Sequence, residues 1–153
     1  MTWQASPKSG KGFTLVELMV TVVIMAILMS IAVPSFLQYQ ATQSVRSAAS
    51  DLVDAMVFAR SEAVKRNTEV SVSAKSTWVQ GWVVKAGGLM LREFSAHNDV
   101  EIDSNVSALS YGNDGRANEE AAFEIKSGTA EVSPRCIRVS GSGKSNNRIG
   151  ACS

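Results

Sequence analysis

Glu17 is the one charged residue between Phe13 and Leu37, a stretch of 25 residues that is otherwise almost wholly apolar. A run of 18 or more apolar residues is long enough to cross a bilayer. A carboxylate at mid-membrane costs about 2.5–3.5 kcal/mol, so an acid kept in such a run points to a function. Its chemistry is that of an anion in low dielectric, which needs a cation as partner. The bland alternative is an acid one turn inside the anchor that snorkels to the headgroups.

The remaining chemistry-bearing residues lie far downstream. Cys136 and Cys152 are the two cysteines. In an exported domain such a pair forms one disulfide, and closing a loop of this length is worth about 3 kcal/mol in the chain-entropy account. Two thiols and a distant His97 do not supply a tetrahedral zinc set, so neither a metal nor another cofactor is expected. His97 sits in a polar loop, Ser95–Asp99, with no serine, cysteine or acid forming a recognisable catalytic set around it. It reads as a solvent-exposed loop histidine, and the chain does not read as an enzyme. Gly141-Ser142-Gly143-Lys144-Ser145 has a phosphate-loop ring to it, but the glycine that such a loop needs is Arg138 here, and no helix follows. It reads as a hairpin turn.

Charge is unevenly spread. The chain of 153 residues carries a formal net charge of +1. Residues 69–133 hold ten acids and five bases, net −5, whereas residues 134–153 hold Arg135, Arg138, Lys144 and Arg148 with no acid, net +4. A local basic patch thus ends an acidic segment. Arg138, Lys144 and Arg148 are candidate phosphate contacts, which would give weak, salt-sensitive DNA binding; the alternative is a solvated basic tail.

The elements that position these groups follow from periodicity. Val45, Ala49, Leu52, Met56, Ala59 and Ala63 recur at spacings of four and three, one apolar stripe on a helix. Arg46, Asp51, Asp54, Glu62 and Lys65 fall largely off it. Anchor and stripe make one helix from Phe13 to Arg66, on the order of 80 Å at 1.5 Å per residue. Pro34 should kink it, and Asn67-Thr68 is its stop. Beyond Thr68 the period becomes alternating. Strands are expected at 70–74, 78–84, 89–94, 100–102, 109–111, 121–126 and 136–140, with turns at Gly87-Gly88, Asn113-Asp114-Gly115, Ser127-Gly128 and Gly141-Ser142-Gly143. Trp78 and Trp82, four apart on one expected strand, would share a face and pack in a core or between subunits. The fold class is α+β: a long helix whose stripe packs on a mostly antiparallel sheet.

Gly12-Phe13-Thr14-Leu15-Val16-Glu17, after a leader carrying Lys8 and Lys11, resembles the processing site of type IV prepilins and pseudopilins. Residues 59–67 resemble the end of the long helix in the FimT/FimU and GspH branch of that family, and Trp78-Val79-Gln80-Gly81-Trp82 is similar to its tryptophan-glycine-tryptophan strand. The resemblance implies a type IV pilin-like fold, cleavage between Gly12 and Phe13, N-methylation of Phe13, and a Glu17 that pairs with the amine of a neighbouring subunit. It divides the chain into a leader (1–12), a membrane and filament-core helix (13–37), an amphipathic continuation (38–68) and a β-rich head with the disulfide loop (69–153).

Implied partners are prepilin peptidase, an inner-membrane assembly platform, and other minor and major pilins. The implied role is that of a minor component at or near a filament tip, anchored in the inner membrane with its head in the periplasm before assembly. Basic residues on the N-terminal side of the anchor fit that orientation. A type II secretion pseudopilin and a DNA-uptake pilin are the alternatives. The DNA-linked FimT relatives carry Gly-Arg-x-Arg where this chain reads Gly143-Lys144-Ser145-Asn146, so one arginine is replaced and the second is missing. Two rival readings of the N-terminus are a secretory signal cut after Ser30-Ile31-Ala32 and a plain anchor with an incidental acid.

Overall fold

The computed structural model describes residues 12–95, 97 and 99–152; the leader residues before Gly12 lie outside them. Helix α1 (Leu15–Arg66) is followed by eight strands: β1 (Val70–Ala74), β2 (Gly81–Ala86), β3 (Leu89–Ser95), β4 (Val100–Ser104), β5 (Ala108–Tyr111), β6 (Ala121–Ser127), β7 (Arg135–Val139) and β8 (Ser145–Ile149). The chain divides into two compact units, one ending at Phe36 and one beginning at Leu37.

The first unit is helix alone. It is long and apolar enough to cross a membrane, and its side chains are exposed along the whole apolar run. The helical pattern continues through Pro34.

The second unit wraps sheet around the rest of α1. Val45, Ala49, Leu52, Met56, Ala59 and Ala63 are all buried, joined by Ala48 and Ala55. The alanines keep that face slim, so strands can approach the helix closely. Every ladder is antiparallel, but the strands divide into two sheets where the sequence suggests one: β3-β2-β1-β5 and β4-β6-β7-β8. Their inward rows, among them Val70, Val72, Val84 and Leu109 from the first and Phe123, Ile125, Ile137 and Val139 from the second, meet the helix in one core.

Three local features set this arrangement. Asn67 takes φ 53°, while Asn67 N–H donates to Val64 O and Thr68 N–H to Ala63 O. That is a Schellman stop, with Asn in the left-handed position it tolerates.

Of the expected strand over 78–84, residues 81–84 lie in β2, whereas Trp78–Gln80 form a single 3₁₀ turn before it. Gly81 at φ 103° makes the break, a conformation that costs glycine little. The two tryptophans still meet, with ring centroids 6.4 Å apart. Trp78 also packs edge-on against Phe123 at 4.9 Å and donates from Nε1 to Val106 O at 2.8 Å, so it ties the two sheets together.

Finally, β8 is a strand that periodicity does not announce. Its residues, Ser145-Asn146-Asn147-Arg148-Ile149, are polar and mostly exposed. It forms because the turn after β7 returns the chain into register, Val139 opposite Ser145 and Arg135 opposite Ile149.

Candidate functional site

The N-terminal site is built on the first turn of α1. Thr14 Oγ1 accepts the Glu17 backbone N–H at 3.2 Å, and Leu18 N–H reaches Thr14 O at 3.2 Å. Thr14 is therefore the N-cap and Glu17 the third helical position, the Thr-x-x-Glu pattern of a capping box. That signal was present in the sequence and marks why the helix begins here. An acid in the first turn also faces the positive end of the helix dipole. Phe13 stands one residue before the cap, so a chain beginning there would carry its amine next to the turn that holds Glu17. Phe13 and Glu17 are both exposed.

The C-terminal site is built on β7 and β8. Cys136 is buried and bonded to Cys152, with the two Cα atoms 5.1 Å apart. The Cys152 N–H donates to Glu124 Oε2 at 2.7 Å, so the tail is fastened to β6 as well as β7. Arg138 and Lys144 line one groove of about 510 Å³, together with Asn105, Glu120, Ser140 and Asn146. Arg148 does not line it; it stands opposite Cys136 on β8. The register nevertheless puts Arg148 on the same face of the β7–β8 pair as Arg138, one diagonal step away.

The turn presenting Lys144 is packed, not free. Gly143 adopts φ 78°, and a Cβ there would collide with the carbonyl oxygen of Gly115. Arg60 donates from Nη2 to Ser142 O at 3.2 Å.

His97 is not the solvent-exposed histidine of the sequence reading. Its side chain is 20% exposed, with Nε2 2.8 Å from Asp51 Oδ2, and its ring stacks on Trp82 at 6.3 Å and 20°. It fastens the β3–β4 connection to α1, a structural task.

Glu62 also departs from expectation. It is buried, and Arg66 bonds it at 2.6 Å. That hydrogen bond, helped by Lys65, lowers its pKa below the usual glutamate value. Burial pushes the Tyr111 hydroxyl up to about 12, so it stays neutral. Among the described residues no group of three or more His, Cys, Asp or Glu side chains is placed to hold a metal ion.

An exposed apolar N-terminal helix with one acid in its first turn, continued into a helix clad by antiparallel sheets, defines the type IV pilin class of fold. Residues 7–33 match the prokaryotic N-terminal methylation motif. Residues 48–143, more than half of the chain, match the family described as type II transport protein GspH. The chain belongs to that family.

Among solved structures it resembles the type IV minor pilin FimU of Pseudomonas aeruginosa (strain PAO1). The TM-score is 0.64 at 21% identity, over 75% of this chain and 99% of that one. It also resembles the minor pseudopilin EpsH from the type 2 secretion system of Vibrio cholerae, with a TM-score of 0.54 at 10% identity over 71% and 97% of the two chains. A fimbrial protein of P. aeruginosa is 42% identical over 67 residues. The match spans 44% of this chain and less than half, 43%, of that relative.

Proposed function

We propose that this chain is a minor type IV pilin that prepilin peptidase cuts after Gly12, that is N-methylated at Phe13, and that enters the pilus in its tip or initiation complex. Before assembly it stands in the inner membrane with the head in the periplasm, where a disulfide such as Cys136–Cys152 persists. The assembly platform and other minor and major pilins are its partners.

One observation carries this reading: an exposed apolar helix whose single acid, Glu17, lies one turn from its start. Packed among like helices, that carboxylate needs a cation, and the amine of a neighbouring Phe13 supplies one. An unpaired charge in the apolar filament core would be costly, so the pair enforces axial register. The closed disulfide tail inclines the assignment to a pilus over a secretion pseudopilus.

Glu17→Ala tests the mechanism. The variant anchor is more apolar and still inserts, so the protein reaches the membrane at wild-type level and is processed. Its recovery in sheared filaments should fall at least tenfold. Wild-type incorporation would overturn the charge-pair mechanism. Deletion of the chain should deplete surface pili while leaving type II exoprotein secretion intact; the reverse outcome would assign it to secretion.

A further inference from the structure

Strand β8 is fastened at its two ends. None of its five side chains is buried, and Ile149 is 69% exposed. Among the described residues the core draws Ile137 and Val139 from β7 but nothing from β8. A strand without a packed face has little beyond its ladder to hold it, and such pairing is marginal in water.

The turn end is held by backbone contacts. Ser140 N–H donates to Lys144 O at 3.1 Å and Gly143 N–H to Ser140 O at 2.8 Å. Gly143 is seated on Gly115, and Arg60 donates to Ser142 O. The tail end is held differently. Gly150 N–H donates to Pro134 O at 2.8 Å. Two residues on, Cys152 is bonded to Cys136 and its N–H donates to Glu124 Oε2. Cys136 is fully buried in β7, whereas Cys152 is only half-buried. The fixed half of the staple thus belongs to the core, and its movable half belongs to the tail.

We infer that the Cys136–Cys152 bond is a redox-operated latch on β8. With the bond formed, the strand is closed onto β7. With both thiols reduced, it unzips from Gly150 toward Lys144 while the turn and the remaining ladders stay in place. Closing the latch joins the two sulfurs and passes two electrons and two protons to a disulfide-bearing oxidant, which becomes a dithiol. Opening is local because the core loses none of its side chains.

The latch goes beyond the assembly role and does not depend on it. Opening bares the outer edge of β7, a row of backbone N–H and C=O groups flanked by the apolar Ile137 and Val139. Such an edge is a template for pairing with another chain, and a short polar strand over it blunts that pairing. The edge is therefore covered in an oxidising compartment and uncovered while the thiols stay reduced.

Amide hydrogen exchange of the full chain in detergent, followed by NMR, tests this. Three N–H groups report: Gly150 for the tail end, Ser140 for the turn end, and Gly128, bonded to Asp99 O at 2.9 Å, for a distant turn. After dithiothreitol, with both thiols confirmed free by mass spectrometry, the Gly150 amide should exchange at least tenfold faster. Ser140 and Gly128 should stay within threefold. Reoxidation with oxidised glutathione should restore Gly150. Cys136→Ser with Cys152→Ser should show the open pattern without reductant and should not respond to it. An unchanged Gly150 rate in the reduced chain overturns the latch. Equal acceleration of all three amides also overturns it, because the bond would then stabilise the head as a whole.

Discussion

Arg60 and Ser142 lie 82 residues apart in sequence, yet the Arg60 guanidinium donates to the Ser142 carbonyl oxygen at 3.2 Å. Gly115 completes this junction. A Cβ there would come within 3.2 Å of Val64 Cγ2 and 3.3 Å of Arg60 Nε. The end of α1, the turn after β5 and the turn after β7 therefore meet at one point, and two glycines with positive φ make the approach close enough.

Gly143→Ala should destabilise the protein by about 1–3 kcal/mol, because it adds strain at φ 78° and a collision with backbone that cannot swing away. Gly141→Ala, two residues earlier, has nothing within 4 Å of the added methyl and no positive φ. Its effect should stay within about 0.5 kcal/mol. Urea midpoints of the two full-length variants check this contrast; equal midpoints would remove the junction from the account.

Much of this head was legible from its sequence. The stripe from Val45 to Ala63 announced a helix face because burial repeats with the helical period, and Val70-Ser71-Val72-Ser73 announced a strand for the corresponding reason. Trp78 and β8 were less so. The turn at Trp78 depends on Gly81 and on an acceptor, Val106 O, 28 residues away. The strand Ser145–Ile149 owes its existence to an available β7 edge rather than to any pattern of its own. His97 and Glu62 were misplaced for a similar reason: their surroundings, Asp51 with Trp82 and Arg66 with Lys65, exist only once the helix is packed or wound. The pairing Cys136–Cys152 needed no register, since only two cysteines are present.

Replacing Cys136 and Cys152 together by serine should cost about 2–5 kcal/mol of stability, the usual range for removing a native disulfide from a small exported domain. The sequence separation of 16 residues closes a modest loop, so part of the effect is loss of the Cys152 N–H bond to Glu124 as the tail frays. Unfolding in urea with and without reductant checks this. A reductant effect that persists in the double variant would show that the disulfide is not its source.

Acid should remove what Glu62 contributes. Its folded pKa lies below the ordinary value of 4.5, so the unfolded chain binds the proton more readily. The stabilisation is therefore complete well above pH 4.5 and lost as pH falls through the folded pKa. Glu62→Gln should be less stable than wild type at pH 7, and the gap should narrow by pH 3. A gap that widens on acidification would contradict the sign.

Gly12→Ser should leave the precursor uncut. The proposed junction joins Gly12 to Phe13, directly before the Thr14 cap, and Gly12 has nothing within 4 Å of where a Cβ would stand. The chain itself therefore has room for the serine, and folding should be unaffected. Any failure would then arise in the peptidase, whose site on this reading accepts a residue without a side chain. The retained leader would keep Lys8 and Lys11 on the chain and replace the free Phe13 amine with a peptide bond, removing the cation that Glu17 is proposed to meet. Filament entry should consequently fail along with cleavage. Glu17→Ala, in contrast, should be cut normally and fail only at assembly. Mass spectrometry of the membrane fraction separates the two. A mature chain starting at Phe13 in the Gly12→Ser variant would overturn the requirement for glycine. A wild-type chain starting at Val33 would replace prepilin processing with cleavage of an ordinary secretory signal.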